Sequence, residues 1–178
     1  MKANRALGFV RRHLRTCTAE TKLKCYTTLV RPILEYASVL WDPHLASHIH
    51  ILEMVQRRAV RFISNDFHRD SSVTAMLKNL KITSLAERRK IGRLLLFYKI
   101  DQRYIPLVPP AHVVRKKKQG RLDNGMAYDY LLGHSNPFYS SFYPKTIREW
   151  NKLPNQLFNV DHGLTCDSFY SHLVKFFE

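Results

Sequence analysis

Ile51-Leu52-Glu53-Met54-Val55-Gln56-Arg57-Arg58-Ala59-Val60-Arg61-Phe62-Ile63 is the stretch on which the fold turns. Leu52, Val55, Ala59, Phe62 and Ile63 recur at three- and four-residue intervals, the repeat of a single helical face. Arg57 and Arg61 fall directly opposite, with Arg58 beside them. A strand would send alternate residues to opposite faces and scatter this set. An upstream stretch, Tyr26-Thr27-Thr28-Leu29-Val30-Arg31-Pro32-Ile33-Leu34-Glu35-Tyr36-Ala37, has the same character. Leu23, Tyr26, Val30, Ile33, Leu34, Ala37 and Trp41 continue one apolar stripe through it, with Lys24, Thr28, Arg31 and Glu35 opposite. Pro32 interrupts the pattern. It lacks a backbone N–H and crowds the preceding turn, so a kink or two abutting helices is expected there.

Further helices follow on either side. Residues 3–14 form a short one, with Ala6, Leu7 and Val10 on one face and Arg5, Arg12 and Arg15 away from it. Thr18 caps the next, with Glu20 placed to suit the helix dipole, and Ser47 caps the one that runs to about Asn65. Ser72 opens a short helix containing Val73, Met76, Leu77 and Leu80. Ser84-Leu85-Ala86-Glu87 is a capping box for a helix reaching about Tyr104. The middle of that helix, Ile91 to Tyr98, is apolar on nearly all sides and belongs at the centre of a bundle. Pro106, Pro109 and Pro110 stop the helices.

The stretch from Val108 to Ser135, with Gly120, Gly125 and Gly133, reads as a linker or long loop with a short strand around His112-Val113-Val114. An aromatic run from Phe138 to Tyr143 then suits either a core or a surface on which bases stack, core being the commoner fate. A helix from 145 to 152 leads to Leu153-Pro154, and Thr165 caps a last one from Cys166 to Phe177, with Phe169, Leu173 and Phe176 inward. The fold class is therefore mainly α. A helical bundle is expected over residues 1–105, a basic linker over 106–137, and a small, mostly helical C-terminal segment over 138–178.

The chain has 178 residues, 45% of them apolar, which is enough for a core. Its formal net charge is +15. Residues 1–121 carry 25 Lys and Arg against 8 Asp and Glu, and residues 122–178 carry 4 against 6. That asymmetry points to a polyanionic partner for the first two thirds. Arg11, Arg12, Arg15, Lys22, Lys24, Arg31, Arg57, Arg58 and Arg61 are the candidates for nucleic-acid contact. Arg115, Lys116, Lys117 and Lys118 join them under one of three open readings: a phosphate-gripping loop, a nuclear-import signal, or solvated charge.

Cys17, Cys25 and Cys166 are too few for a disulfide framework, and no apolar run reaches the length that spans a bilayer. Met1-Lys2-Ala3-Asn4-Arg5 lacks a signal-peptide core. An intracellular protein of the cytoplasm, the nucleus or both is expected, with no membrane partner. Catalytic signatures are missing from the sequence: there is no G-x-S-x-G, no P-loop, no H-E-x-x-H and no Asp-Asp pair after an aromatic residue. His44, His48 and His50 lack a fourth ligand at a convincing spacing, and His162, Cys166 and His172 are no better arranged for a metal. No catalytic or metal-ligating residue is assigned.

Several segments, in order, resemble the C-terminal part of reverse transcriptases of non-LTR (LINE-type, jockey-like) retrotransposons. They are Lys2 to Phe9, Leu29 to Ser38, Trp41-Asp42-Pro43, Val55 to Phe62, Ser84 to Arg89 and Phe142 to Pro154. The resemblance implies a helical thumb lying just after the polymerase palm, gripping the backbone of a template–primer RNA/DNA duplex or element RNA without sequence preference. It implies no activity for this chain alone and no cofactor in it, Mg²⁺ being expected only in the palm, which would be a partner encoded upstream. It further implies a fragment, whether a degraded element copy or a shortened reading frame. A helical protein-interaction module and a relic without function are the alternatives.

Overall fold

The computed structural model describes residues 2–117, 125–133, 135–158 and 165–177. Lys118, Gly120 and His162 lie outside the described residues. The chain is mainly helical, and among the described residues the β-structure is one isolated antiparallel bridge between Arg115 and Tyr128. It divides into two compact units, Met1–Arg89 and Lys90–Glu178.

In the first unit, α1 (Lys2–His13) buries Ala3, Leu7 and Val10. α2 (Ala19–Cys25) starts where Thr18 accepts a hydrogen bond from Thr21 N at 3.3 Å. It runs directly into a π-helical turn (Tyr26–Val30) and then α3 (Arg31–Glu35). This is how the chain absorbs Pro32. An α-helix would place Thr28 O against the proline ring; the wider turn instead lets Arg31 N–H reach Tyr26 O. The Thr27 and Thr28 hydroxyls both donate to Lys24 O, at 2.9 and 2.8 Å.

The apolar stripe is shorter than its sequence pattern. Tyr26, Val30 and Leu34 are buried, whereas Ile33, Ala37 and Trp41 are exposed. Ala37 adopts left-handed backbone (φ 50°), which breaks the rod and starts α4 (Ser38–Trp41) in a new direction. Trp41 Nε1 folds back to donate to Tyr36 O at 2.6 Å.

α5 (Ala46–Ile63) is the stretch quoted at the outset. Leu52, Val55, Ala59, Phe62 and Ile63 all enter the core, as their spacing requires. Its cap is not Ser47. Leu45 stands at that position with no side-chain cap, and its carbonyl accepts from His48 N and Ile49 N. α6 (Val73–Asn79), capped by Ser72, adds Met76 to a small cluster with Val60 and Ile82.

The capping box opens α7 (Leu85–Asp101): Glu87 N donates to Ser84 Oγ at 3.1 Å, and Ser84 N to Glu87 Oε2 at 3.2 Å. Leu85 joins the core of the first unit. Arg88 makes a two-pronged ion pair with Glu35, and the buried Arg89 donates to Asp42 Oδ1 at 2.8 Å.

The rest of α7 belongs to the second unit. Ile91, Leu94, Phe97 and Tyr98 pack with Tyr128, Ile147, Trp150, Leu153, Leu157, Phe169 and Leu173. Tyr128 precedes α8 (Asn136–Ser140) and Leu153 follows α9 (Phe142–Trp150), which supplies Ile147 and Trp150; Leu157 comes from a 3₁₀ turn (Asn155–Leu157), and Phe169 and Leu173 from α10 (Cys166–Phe177). Trp150 is the centre. Its ring lies 5.0 Å from Phe97, 4.9 Å from Phe158 and 5.8 Å from Phe169, and its Nε1 donates to Met126 O at 2.9 Å.

The division into two compact units does not coincide with the expected boundaries at 105 and 137. The division falls inside α7, because that helix supplies apolar side chains to both cores. The described part of 106–137 is no mere spacer either: Ala127 and Tyr128 are buried. Asn151 holds Tyr128 by both backbone groups, accepting from its N at 3.0 Å and donating to its O at 2.8 Å. Residues 112–114, expected as a short strand, form none, and the isolated Arg115–Tyr128 bridge follows them. The aromatic run divides, Phe142 and Tyr143 packing on the core and Phe138 meeting Tyr139 edge-on. Phe176, expected inward, is half-exposed.

Candidate nucleic-acid interface

The first unit carries 16 Lys and Arg against 7 Asp and Glu. What matters is which of these cations remain available. α1 ends in Arg11-Arg12-His13, Leu14 N still donates to Val10 O at 2.9 Å, and Arg15 lies in the turn that follows. Cations in a last turn are favoured by the carbonyls left unsatisfied there. Gly8, Arg11 and Arg12 are spaced as neighbours on one face of α1, with Arg15 in the turn beyond its end. They line a cleft of about 680 Å³ together with Phe62, Asn65 and Phe67 from the end of α5 and the turn after it. Among the described residues, no carboxylate lies within 4.0 Å of the guanidinium of Arg11, Arg12 or Arg15.

The far wall is a tied turn. Asn65 takes left-handed backbone (φ 52°), and Asp66 N–H reaches back to Arg61 O at 3.1 Å. The Asp66 carboxylate accepts from Ser71 Oγ at 2.8 Å and from His68 N at 3.0 Å. Those two bonds hold its pKa below the ordinary carboxylate value. Arg61 donates to His68 O at 2.7 Å and to Ser71 O at 3.3 Å. Between these ties Phe67 stands out into solvent, 55% exposed, and the Arg11 guanidinium lies 6.0 Å from its ring centroid.

The remaining candidates are in other circumstances. Lys22 is 5% exposed, with its ammonium 4.8 Å from the Phe62 ring centroid. It is thus a buried cation of the bundle, four residues before the buried Tyr26. Lys24 pairs with Glu20 at 3.5 Å on the surface, and Arg31 lies 3.9 Å from Glu35. Arg57 and Arg58 are exposed on the outer face of α5, Arg58 reaching Asn4 Oδ1 at 3.4 Å.

Arg61 was grouped with these two by sequence, but its two carbonyl partners make it part of the turn. Arg61→Ala is expected to cost about 1–2 kcal/mol in urea denaturation, since charge-assisted bonds of this kind are lost. Arg57→Ala should stay within about 0.5 kcal/mol, as substitutions at unengaged surface positions do. Equal losses would refute the distinction.

Arg115, Lys116 and Lys117 belong to the second unit. Arg115 Nη2 donates to Asp101 Oδ2 at 2.5 Å and its Nε to Tyr128 Oη at 3.3 Å, and this carboxylate partner raises its pKa. Tyr128 also bonds Asp101; burial first and that bond second push its hydroxyl up to about 12. Arg115 is therefore spoken for. Lys116 has its ammonium 5.5 Å from the Tyr130 ring centroid, and Lys117 is exposed.

His44, His48 and His50 are exposed, and among the described residues no group of three His, Cys, Asp or Glu gathers as a metal site would. Among them, too, no helix is long and apolar enough to cross a membrane.

Sequence reasoning missed Phe67, whose one signal is a lone aromatic residue in an otherwise polar turn, Asn65 to Ser71. It also missed Arg89 and Arg93. Both are buried, and Arg93 meets Glu149 at 2.6 Å. Comparison with protein-family models, with curated proteins and with solved structures found no match for this chain.

Proposed function

We propose that this chain is the helical, duplex-gripping segment that follows the palm in a non-LTR retrotransposon reverse transcriptase. The observation that carries the reading is the trio Arg11, Arg12 and Arg15. These guanidiniums line one cleft, at the end of α1 and in the turn after it, without a carboxylate among the described residues to neutralise them. Guanidinium groups bind phosphate oxygens through several planar donors, and a helix anchored by Ala3, Leu7 and Val10 keeps them in register. An RNA-containing duplex is recognised through backbone and shape, which suits a surface of this kind. The ordered motifs from Lys2 to Pro154 supply the family. The reading assigns no reaction to this chain; polymerisation would belong to a palm joined to it.

A salt titration tests it. Binding to an RNA/DNA hybrid should weaken steeply as salt rises, because each phosphate contact releases counterion. The logarithm of affinity should fall with the logarithm of salt with a slope of about −2 or steeper, taking roughly 0.7–0.9 per contact. A flat response ends the proposal.

A second reading, a helical protein-interaction module, rests on a separate observation. Leu29, Ile33 and Tyr36 are spaced along one helical face, and all three are exposed, as is Leu40 beyond them. Oligomers in solution with no hybrid binding would favour it.

A further inference from the structure

The cleft at the end of α1 holds something that backbone contact alone does not call for, an exposed aromatic ring. Phe67 is presented by a turn of polar residues, where burial gives it no reason to be. The turn is nonetheless fixed. Arg61 and Asp66 tie its ends, and the left-handed Asn65 sets its direction. So the ring is held out rather than loosely placed.

Arg11 faces it with 6.0 Å from guanidinium carbon to ring centroid. A planar base stacked between them needs about 7 Å, two contact distances of roughly 3.5 Å. The gap is therefore short of one base by about 1 Å, within reach of an arginine rotamer change. Arg12 and Arg15 line the same cleft as Arg11, beside Gly8, which has no side chain to obstruct it. The cleft volume, about 680 Å³, falls in the range of small-ligand sites, roughly 300–1,000 Å³.

We infer that this cleft takes an unpaired nucleotide, its base on Phe67 under Arg11 and its phosphate on Arg12 and Arg15. A base inside a duplex has both faces stacked and cannot offer one to Phe67; an unpaired base can. The site thus separates single-stranded ends from the duplex that the same cations hold. The inference rests on the duplex-gripping reading only in supposing that these arginines meet phosphate. The nucleotide can come at a strand end or free, and the two sources give different results.

The test compares three ligands on the full chain: a blunt RNA/DNA hybrid, the same hybrid with a short single-stranded overhang, and adenosine monophosphate. The overhang is expected to tighten binding about 5- to 150-fold, the usual worth of one base stacked on an aromatic ring. Phe67→Ala should erase that margin, costing the overhanging hybrid more than the blunt one, and Phe67→Trp should keep it. A margin identifies a strand end as the ligand. Phe67-dependent binding of adenosine monophosphate without a margin identifies a free nucleotide. Neither result, or a Phe67→Ala variant that weakens blunt and overhanging hybrids alike, overturns the inference. If the blunt hybrid fails to bind while the overhang binds through Phe67, the duplex-gripping proposal falls and this one stands.

Discussion

Replacing Arg11, Arg12 and Arg15 together by alanine should lower affinity for an RNA/DNA hybrid on the order of 100-fold near physiological salt. Each charge-assisted contact to phosphate contributes roughly 1 kcal/mol or more net, and about 1.4 kcal/mol is tenfold in affinity. The salt dependence should flatten in step, by about 2 in the logarithmic slope, because three contacts no longer release counterion. Stability should hardly move. All three side chains are exposed, and among the described residues none is tied to a carboxylate. Removing three like charges from one helix end also relieves repulsion, which offsets the lost dipole interaction. The decisive comparison is this triple variant against Arg57→Ala/Arg58→Ala, measured by anisotropy and by urea denaturation. If the α5 pair loses as much affinity as the α1 trio, the cleft is not the grip. If the trio loses stability instead, its role is structural.

Trp150→Ala should cost the second unit about 3–5 kcal/mol, the usual range for truncating a large aromatic in a packed core. Trp150 is fully buried and contacts three other aromatic rings. Truncation leaves a cavity among Phe97, Phe158 and Phe169 and strips Met126 O of its indole donor. With domains stable by only about 5–15 kcal/mol, such a loss takes much of the margin. Near-UV circular dichroism and amide exchange across Lys90–Glu178 would read it. The chain's other tryptophan, Trp41, is in the first unit and remains as an internal fluorescence reference. A loss under about 1 kcal/mol would mean that the aromatic cluster is not the core of this unit.

How far the sequence alone reached can be judged from particular residues. Thr18, Ser72, Ser84 and Thr165 were legible as caps, and each accepts the expected backbone hydrogen bond three residues on. Those bonds close within one turn, so local sequence suffices. The α5 face was equally legible. Pro32 announced a break, but nothing local specified a π turn over a kink, since both relieve the same clash. Ser47 is not a cap because the helix begins one residue before it, at Ala46, with the extended backbone of Leu45 at the capping position.

The candidate site was half legible. Arg11, Arg12 and Arg15 stood out by charge and register, and so did Lys22 and Arg61, which the fold puts to other uses. Spacing puts Lys22 four residues before Tyr26 and Lys24 on the opposite side, but it does not show that the Phe62 ring, 40 residues on, covers Lys22 while Lys24 is left in solvent.

Periodicity, capping and net charge are properties of neighbours within a turn or two, and they determined a mainly helical chain with a cationic leading portion. The partner of a charge is set at long range. Arg88 finds Glu35 53 residues away, Arg89 finds Asp42 at 47, and Arg93 finds Glu149 at 56. Only the folded chain could decide which arginines would be neutralised and buried and which would stand free beside Phe67. A Coulombic or stacking contact depends on distance in space, and helical spacing alone does not carry that distance across a loop.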